Sequence, residues 1–259
     1  MTVSGAGTLT LNGKSNAITI AAGSSTAMQS ISSKANGGCP SSLTTGQVYQ
    51  LKDSRDNNVY YVARLADGNC WMLDNLRLGS TSTIALTSAN TNSNGNFTLP
   101  ASISSGFNSY TAAQINVASK DTVASTKYGS GSGKIGVYYN YCAASAGTIC
   151  SSSNSSNASY DICPKGWRMP TGGSSGEYQA LYTAYSSNVT NFRNALSTPH
   201  SGYFYYGSAY NQGSNGNFWS STRYNGSDMY YLYVDSSRVG STDYSNTRNY
   251  GYSVRCLLK

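Results

Sequence analysis

The stretch NFWSSTRYNGSDMYYLYVDSSRVGSTDYSNTRNYGYSVRCLLK, residues 217–259, decides how this chain is read. An apolar frame runs through it: Phe218, Trp219, Leu232, Val234, Val239, Val254 and Cys256. Between the frame residues lie almost only Tyr, Ser, Asn, Asp, Thr, Arg and Gly. A frame of this kind suits strands that bury one side. The filling has the chemistry of an antibody combining site. Tyr gives large contact area at low rotamer cost, and Ser, Asn and Gly give adaptable hydrogen bonding.

The rest of the chain shares this polar, aromatic character. Of 259 residues only 10% are charged, against a usual value of about 25%. Tyr accounts for 23 residues against 5 Phe and 3 Trp, so the aromatic content is amphipathic. A chain of this length buries roughly 70–75% of its unfolded surface, enough for a sizeable core. The net charge is +7, but Lys and Arg are scattered. Nucleic-acid binding needs a clustered basic stripe, so none is expected here. No run of apolar residues is long enough to span a bilayer. Met1-Thr2-Val3 opens directly into strand-like alternation, so a targeting or anchoring segment is expected to have been removed ahead of it.

The six cysteines, Cys39, Cys70, Cys142, Cys150, Cys163 and Cys256, are even in number and widely spaced, as disulfides in an oxidising compartment are. They allow about 15 connectivities. Cys142 and Cys150 are close enough to close a local loop. No C-x-x-C pair exists and His200 is the sole histidine, which argues against zinc. Sequons at Asn96, Asn154, Asn157, Asn188 and Asn225 are what a Ser/Asn-rich chain gives by chance.

Residues 1–43 read as a polar N-terminal arm or stalk. Residues 8–20 within them suggest two strands around the Asn12-Gly13 turn signal. Residues 46–78 hold two strands with Asp56-Asn57-Asn58 as their turn. Segment 109–119 reads as a short helix capped by Ser109 or Thr111. Segment 134–144 reads as a buried strand, and 145–160 as a Ser/Asn loop. Ser174 and Glu177 have capping-box spacing, and Tyr178, Leu181, Tyr182 and Tyr185 follow on one helical face. A second helix is expected near Thr190–Leu196, ended by Pro199. Strands should fill 202–256.

Catalytic chemistry is poorly supported. A Ser–His–Asp triad needs a histidine, and His200 follows Thr198-Pro199 in what reads as a solvent-facing loop. There is no G-x-S-x-G elbow. The GSGSG run at 129–133 lacks the Lys-Ser/Thr of a phosphate loop. No cluster of carboxylates stands out. No catalytic residue, metal ligand or cofactor is assigned, and an enzyme is the weakest reading.

Three signals in order carry a family resemblance: DSRDNNVYYVARLADGNCWMLDNLRL (53–78), ICPKGWRMPTGGSSGEYQAL (162–181), and FWSSTRYN, YYLYVDSS and GYSVRCLLK (218–225, 230–237 and 251–259). Over residues 44–259 the chain resembles the bacterial paralogous-domain family first noted in Fibrobacter, which is similar to the C-type-lectin fold. It also resembles the variable proteins of diversity-generating retroelements. The resemblance implies an α+β domain with two main helices and mixed or antiparallel sheets. It also implies a Cys163–Cys256 bridge joining the domain's ends, with Cys39–Cys70 and Cys142–Cys150 as the remaining pairs. The calcium-binding motifs of sugar-binding lectins, Glu-Pro-Asn and Trp-Asn-Asp, are missing; Trp219 is followed by Ser220-Ser221. The cysteines lie where disulfides are expected, unlike those of lectin-like sulfatase-modifying oxidases.

In the retroelement system, template adenines are randomised during copying. AAC and AAT codons then yield Asn, Tyr, Ser, Asp, Thr, Gly or Arg and never a stop. The resemblance implies a variable region at 218–256 in which the frame stays fixed. Its ligand-binding residues would be Arg223, Tyr224, Asn225, Ser227, Asp228, Tyr230, Tyr231, Arg238, Asp243, Tyr244, Ser245, Asn246, Arg248, Asn249 and Tyr250. The expected protein is a secreted or surface-displayed receptor or adhesin that binds a protein or a surface glycan. Its rivals are a structural cell-envelope module without diversification and a calcium-independent carbohydrate-binding module.

Overall fold

The computed structural model describes residues 6–11, 14–19, 27–30, 45–46, 48–79, 82–103, 111–115 and 137–258. β1 (Ala6–Leu11) and β2 (Lys14–Thr19) pair with each other in antiparallel register. A 3-10 turn at Met28–Ser30 precedes three antiparallel strands, β3 (Val48–Lys52), β4 (Val59–Arg64) and β5 (Cys70–Met72). β6 (Ile84–Leu86) pairs with β7 (Phe97–Leu99), and β8 (Gln114–Ile115) with β9 (Tyr138–Tyr139). Helix α1 (Tyr141–Ala144), β10 (Trp167–Arg168), α2 (Glu177–Ala184) and α3 (Val189–Leu196) come next. The chain continues through β11 (Tyr203–Tyr205), β12 (Ser208–Tyr210), β13 (Asn215–Arg223) and β14 (Asp228–Asp235). It ends with β15 (Val239–Gly240), β16 (Ser245–Thr247) and β17 (Leu257–Leu258). The architecture is mostly β-sheet with few helices, the α+β class that the sequence suggests.

Two sheets organise the molecule. One has the order β10-β17-β5-β4-β3, so the last strand of the chain sits between two earlier ones. The other joins β13, β14 and β15, with β16 also on β14. The centres of both sheets are covered on both faces. In β4, Tyr60 and Val62 enter one apolar cluster, and Tyr61 and Ala63 enter the other. Trp219 and Tyr231 face the first cluster, while Phe218, Leu232 and Val234 face the helices through Tyr178, Phe192 and Leu196. Burial on both faces explains why VYYVA reads as a continuous apolar run rather than an alternation. Trp71, Trp167 and Trp219 are wholly buried. Truncating any of them to Ala would cost about 3–5 kcal/mol.

Two disulfides are present among the described residues, Cys142–Cys150 and Cys163–Cys256. The second closes a separation of 93 residues, which contributes on the order of 4–5 kcal/mol in the chain-entropy account. Cys39 lies outside the described residues, as does the turn expected at Asn12-Gly13. Part of the expected arm is docked: Met28 is buried in the core and its carbonyl accepts from Trp167 Nε1 at 3.0 Å.

Arg255, from the SVRC run, is wholly buried and closes the C-terminal end of α3. Its guanidinium donates to Leu196 O at 2.6 Å and Ser197 O at 3.0 Å, and to Asn75 Oδ1 at 2.6 Å. It also lies 5.2 Å from the Phe218 ring centroid. The terminal carbonyls of a helix are its negative end, so a cation there satisfies both their lone pairs and the dipole.

Three local expectations are corrected. The Ser174 capping box does not form: the N-cap of α2 is Gly176, where no side chain caps the helix. A Cβ at Gly176 would lie 2.5 Å from the Gly172 carbonyl carbon, so the turn is too tight for a larger residue. Thr171 does the capping from farther away, with Oγ1 accepting from Glu177 N at 2.9 Å while the Glu177 carboxylate accepts from Thr171 N at 3.0 Å. Of the helix expected over 109–119, residues 111–115 are described, and Gln114–Ile115 form a strand against Tyr138–Tyr139. The strand expected over 134–144 ends at Tyr139, and the next residue, Asn140, caps α1 with its side chain by accepting from Ala143 N at 3.0 Å.

Candidate ligand-binding face

The FWSS run builds the site's foundation. Phe218 and Trp219 point to opposite faces of β13, and Trp219 Nε1 donates to Tyr139 O at 2.8 Å. The ladder with β14 is then interrupted between Trp219 and Arg223. The two serines take over there. Ser220 Oγ donates to Tyr230 O at 2.8 Å, and Ser221 N donates to Pro170 O at 2.8 Å. Such an irregularity bends a strand and re-aims the residues beyond it. Here those residues are the hairpin tip Tyr224–Ser227, closed by Asn225 Oδ1, which accepts from Ser227 N and Asp228 N at 2.9 Å each.

On the Trp219 face a line of tyrosines crosses the molecule. Tyr210 stacks on Tyr203 with centroids 5.4 Å apart, Tyr203 meets Tyr250 at 5.8 Å, and Tyr250 lies parallel to Tyr205 at 4.0 Å. Tyr206 stands edge-on to Tyr205 at 4.3 Å. In the other direction the line runs from Tyr250 to Tyr252 at 6.0 Å and on to Tyr231 at 4.7 Å. It continues through Tyr244 at 5.8 Å to Tyr233 at 4.8 Å. The Arg238 guanidinium ends it, 5.1 Å from both the Tyr233 and Tyr244 rings. Tyr252 is the buried pivot, and its hydroxyl accepts from Asn246 Nδ2 at 2.7 Å.

Tyr206 and Gly207 form the two-residue turn of the β11–β12 hairpin, with φ of 44° and 86°. Both positive values are those of a type I′ turn, where Asn-Gly is the favoured pair. A bulky tyrosine there is strained by about 1–2 kcal/mol. Yet its ring is the most exposed large hydrophobic among the described residues, at 63%, followed by Tyr224 at 50% and Tyr210 at 42%.

The sequence-predicted residues are distributed unevenly. Tyr224, Asn225, Arg238 and Asp243 are exposed, and Arg223, Ser227, Asp228, Tyr230, Tyr244, Ser245, Asn246, Asn249 and Tyr250 are half-buried. Tyr230 packs over Gly173 and meets Tyr224 edge-on at 5.0 Å. Asn246 turns inward to Tyr252, and Asn249 Oδ1 accepts from Thr247 Oγ1 at 2.7 Å. Tyr231 and Arg248 are corrections, because both are buried rather than presented. Tyr231 fills the space between Trp219 and Tyr252, and Arg248 donates to backbone carbonyls. His200, read as solvent-facing, is also buried; its Nε2 lies 2.9 Å from Arg193 Nη2.

Sequence reasoning missed Tyr203, Tyr205, Tyr206, Tyr210 and Tyr233. For the first four the signal was present as YFYYGSAY, a tyrosine-dense hairpin around a glycine at 203–210, and Tyr233 stands in YYLYVDSS at 230–237. Desolvation pushes the Tyr231 phenol up to about 12. Burial opposes ionisation of Asp235, but donors from Ser237, Tyr233 and Arg238 outweigh it and hold its pKa at about 2. Among the described residues, no three His, Cys, Asp or Glu side chains group to hold a metal ion, and no helix is long and apolar enough to cross a membrane. No family model, curated relative or solved structure matches the chain.

Proposed function

We propose that the chain is a receptor- or adhesin-like binding protein, secreted or displayed on a bacterial surface, whose tyrosine face grips a protein partner. On this reading the scaffold is C-type-lectin-like and the exposed residues of 218–256 are diversified by a retroelement. The observation that carries the binding role is Tyr206, a strained ring held in solvent at the head of a tyrosine line that rests on a doubly buried sheet. Backbone strain kept at an exposed position points to use of the side chain. The pre-stacked rings would lose little freedom on binding. The scaffold reading is supported by the return of β17 between β5 and β10, the Cys163–Cys256 bridge and the two helices between them. The disulfides are compatible with an extracellular setting.

A protein partner is favoured over a glycan because of how the rings are used. A pyranose stacks on an open ring face. Tyr203, Tyr205, Tyr210, Tyr233, Tyr244 and Tyr250 each set a ring face against another tyrosine or a guanidinium. One face of each of these rings is therefore already occupied, which reduces the open ring area on which a sugar could stack.

The test is capture on parallel arrays of extracellular proteins and of glycans, with a calcium chelator present. A variant carrying Tyr206→Asn, Tyr210→Ser and Tyr224→Ser should lose protein capture while staying folded, its thermal midpoint lowered by about 10 °C at most through the lost ring contacts. Unchanged capture would remove the face from the mechanism, and capture confined to glycans would favour the carbohydrate-binding alternative. Diversification is tested separately in the source genome. It requires a near-repeat of codons 218–256 differing at adenines, beside a reverse transcriptase gene.

A further inference from the structure

Beside the hairpin tip lies the Ser/Asn loop 151–157, whose serines are all exposed. Its root is pinned by the Cys142–Cys150 bridge. Its far end is tied to β13, where Ala158 N donates to Ser221 O at 2.9 Å and Asn157 Oδ1 accepts from Arg223 N at 2.9 Å. Between these ends two arginines reach across. Buried Arg248 donates to Ser151 O, to Asn154 O at 2.7 Å, and to Gly226 O at 3.1 Å on the hairpin tip. Arg223 donates to Ser155 O at 2.7 Å and to Asn225 O at 2.6 Å. Each guanidinium therefore bridges one carbonyl of the hairpin and at least one of the loop.

We propose that Arg223 and Arg248 are positioning residues that lock loop 151–157 and the tip 224–228 into one composite surface. The exposed Ser and Asn side chains of that loop, a segment outside the C-terminal stretch, then belong to the reading face, and the two arginines do not. This rests on the binding role proposed above. The chemistry is specific to arginine. A planar fork with five donors can serve carbonyls on two loops at once, whereas an ammonium is a single compact charge. Carbonyls joined by a shared cation move together, so the geometry of the loop is set by residues on β13 and just beyond β16.

Amide hydrogen exchange on the full chain, read by mass spectrometry, tests the lock. Arg248→Met should speed exchange in 151–157 and in 224–228 together, by about tenfold or more given the lost charged hydrogen bonds. β4 and β5 should stay unchanged. Arg248→Lys should fail to restore both segments. Arg223→Ala, at a half-exposed position, should give the same pattern more weakly, and it decides the matter if Arg248→Met does not fold. Unchanged exchange in 151–157, or loosening of one segment alone, would overturn the proposal. The protein array separates this from the binding role. A wild-type chain that captures nothing counts against the binding role and leaves the lock to be judged by exchange. Capture lost in Arg248→Met at unchanged exchange would make Arg248 a contact residue and overturn the lock.

Discussion

Tyr206 offers the sharpest test of the binding role, because strain and contact can be separated there by two substitutions. At φ 44° the tyrosine backbone occupies the left-handed region, which costs a bulky residue about 1–2 kcal/mol. Against this stands its edge-on contact with Tyr205, of the kind that contributes about 0.5–1.5 kcal/mol. The residue is 63% exposed, so little area burial is at stake. Tyr206→Asn loses the contact but removes most of the strain, since Asn-Gly is the favoured type I′ pair. It should leave stability nearly unchanged, or raise it by up to about 1 kcal/mol. Tyr206→Ala loses the contact and keeps the strain, so it should destabilise by roughly 0.5–1.5 kcal/mol. The difference between the two variants, about 1 kcal/mol in favour of Asn, isolates the backbone cost. Urea unfolding at constant m-value reads it directly. Equal midpoints for Asn and Ala would mean that no strain is stored at the turn. The inference that the exposed ring is retained for binding would then lose its physical basis.

Three further predictions concern the core. Arg255→Met strips donors from two helix-end carbonyls and Asn75; at about 1–3 kcal/mol for each buried acceptor left without a partner, it should cost about 2–5 kcal/mol, a large share of a typical total of about 5–15 kcal/mol; a loss below about 1 kcal/mol by denaturant titration would refute its role as the α3 cap. Burial works against the Glu177 carboxylate, but hydrogen bonds from Arg168 and Thr171 and the Arg168 charge hold its pKa below the ordinary value. That contribution is complete above the unfolded value of about 4.3 and is lost as pH falls through the folded one, so Glu177→Gln should flatten the acid side of a midpoint-against-pH curve. Desolvation raises the phenols of Tyr139, Tyr141 and Tyr252 well above their ordinary value. Their stability contribution is therefore full below about pH 10 and lost above it, and ultraviolet titration should show a late tyrosine class that ionises together with unfolding.

What the sequence revealed and what it hid divide along the range of the interactions. The α3 helix was legible from its Phe192 and Leu196 spacing, and the strands of 202–256 from their apolar frame, because those signals are local. The Ser174 capping box failed because the partner of Glu177 is Thr171, brought near by a glycine turn that no helix pattern encodes. Gln114 reads as helical by neighbourhood but is wholly buried, with Nε2 donating to Gly79 O at 2.8 Å; a tertiary hydrogen bond decides its conformation. Tyr231 and Arg248 have surface-type chemistry yet lie inside. Tyr231 fills a gap beside Trp219, and Arg248 finds carbonyls from two loops. Composition cannot distinguish a presented tyrosine from one that fills a gap, since both are amphipathic rings on a strand. The hairpin 203–210 was overlooked because its tyrosines precede the diagnostic frame. Only the fold lays them beside Tyr250.

That adjacency changes what diversification could accomplish. Tyr203, Tyr205, Tyr206 and Tyr210 lie outside 218–256, but they share one ring network with Tyr250 and Tyr252. On the proposed reading the face therefore has an invariant half and a variable half, joined at a buried pivot. The invariant half would supply pre-stacked contact area common to all versions of the protein. Variation at Tyr224, Asn225, Arg238 and Asp243 would then choose among partners without rebuilding the platform. Buried Tyr231 and Arg248 would have to behave as frame, because changing either leaves a cavity or unpaired carbonyls worth about 1–3 kcal/mol each. Sequencing the segment from many cells of one population distinguishes the two classes. Substitutions should accumulate at the four exposed positions and be rare at Tyr231 and Arg248. Equal variation at buried and exposed sites would mean that the scaffold does not constrain which residues can vary, and the division of the face into halves would fail.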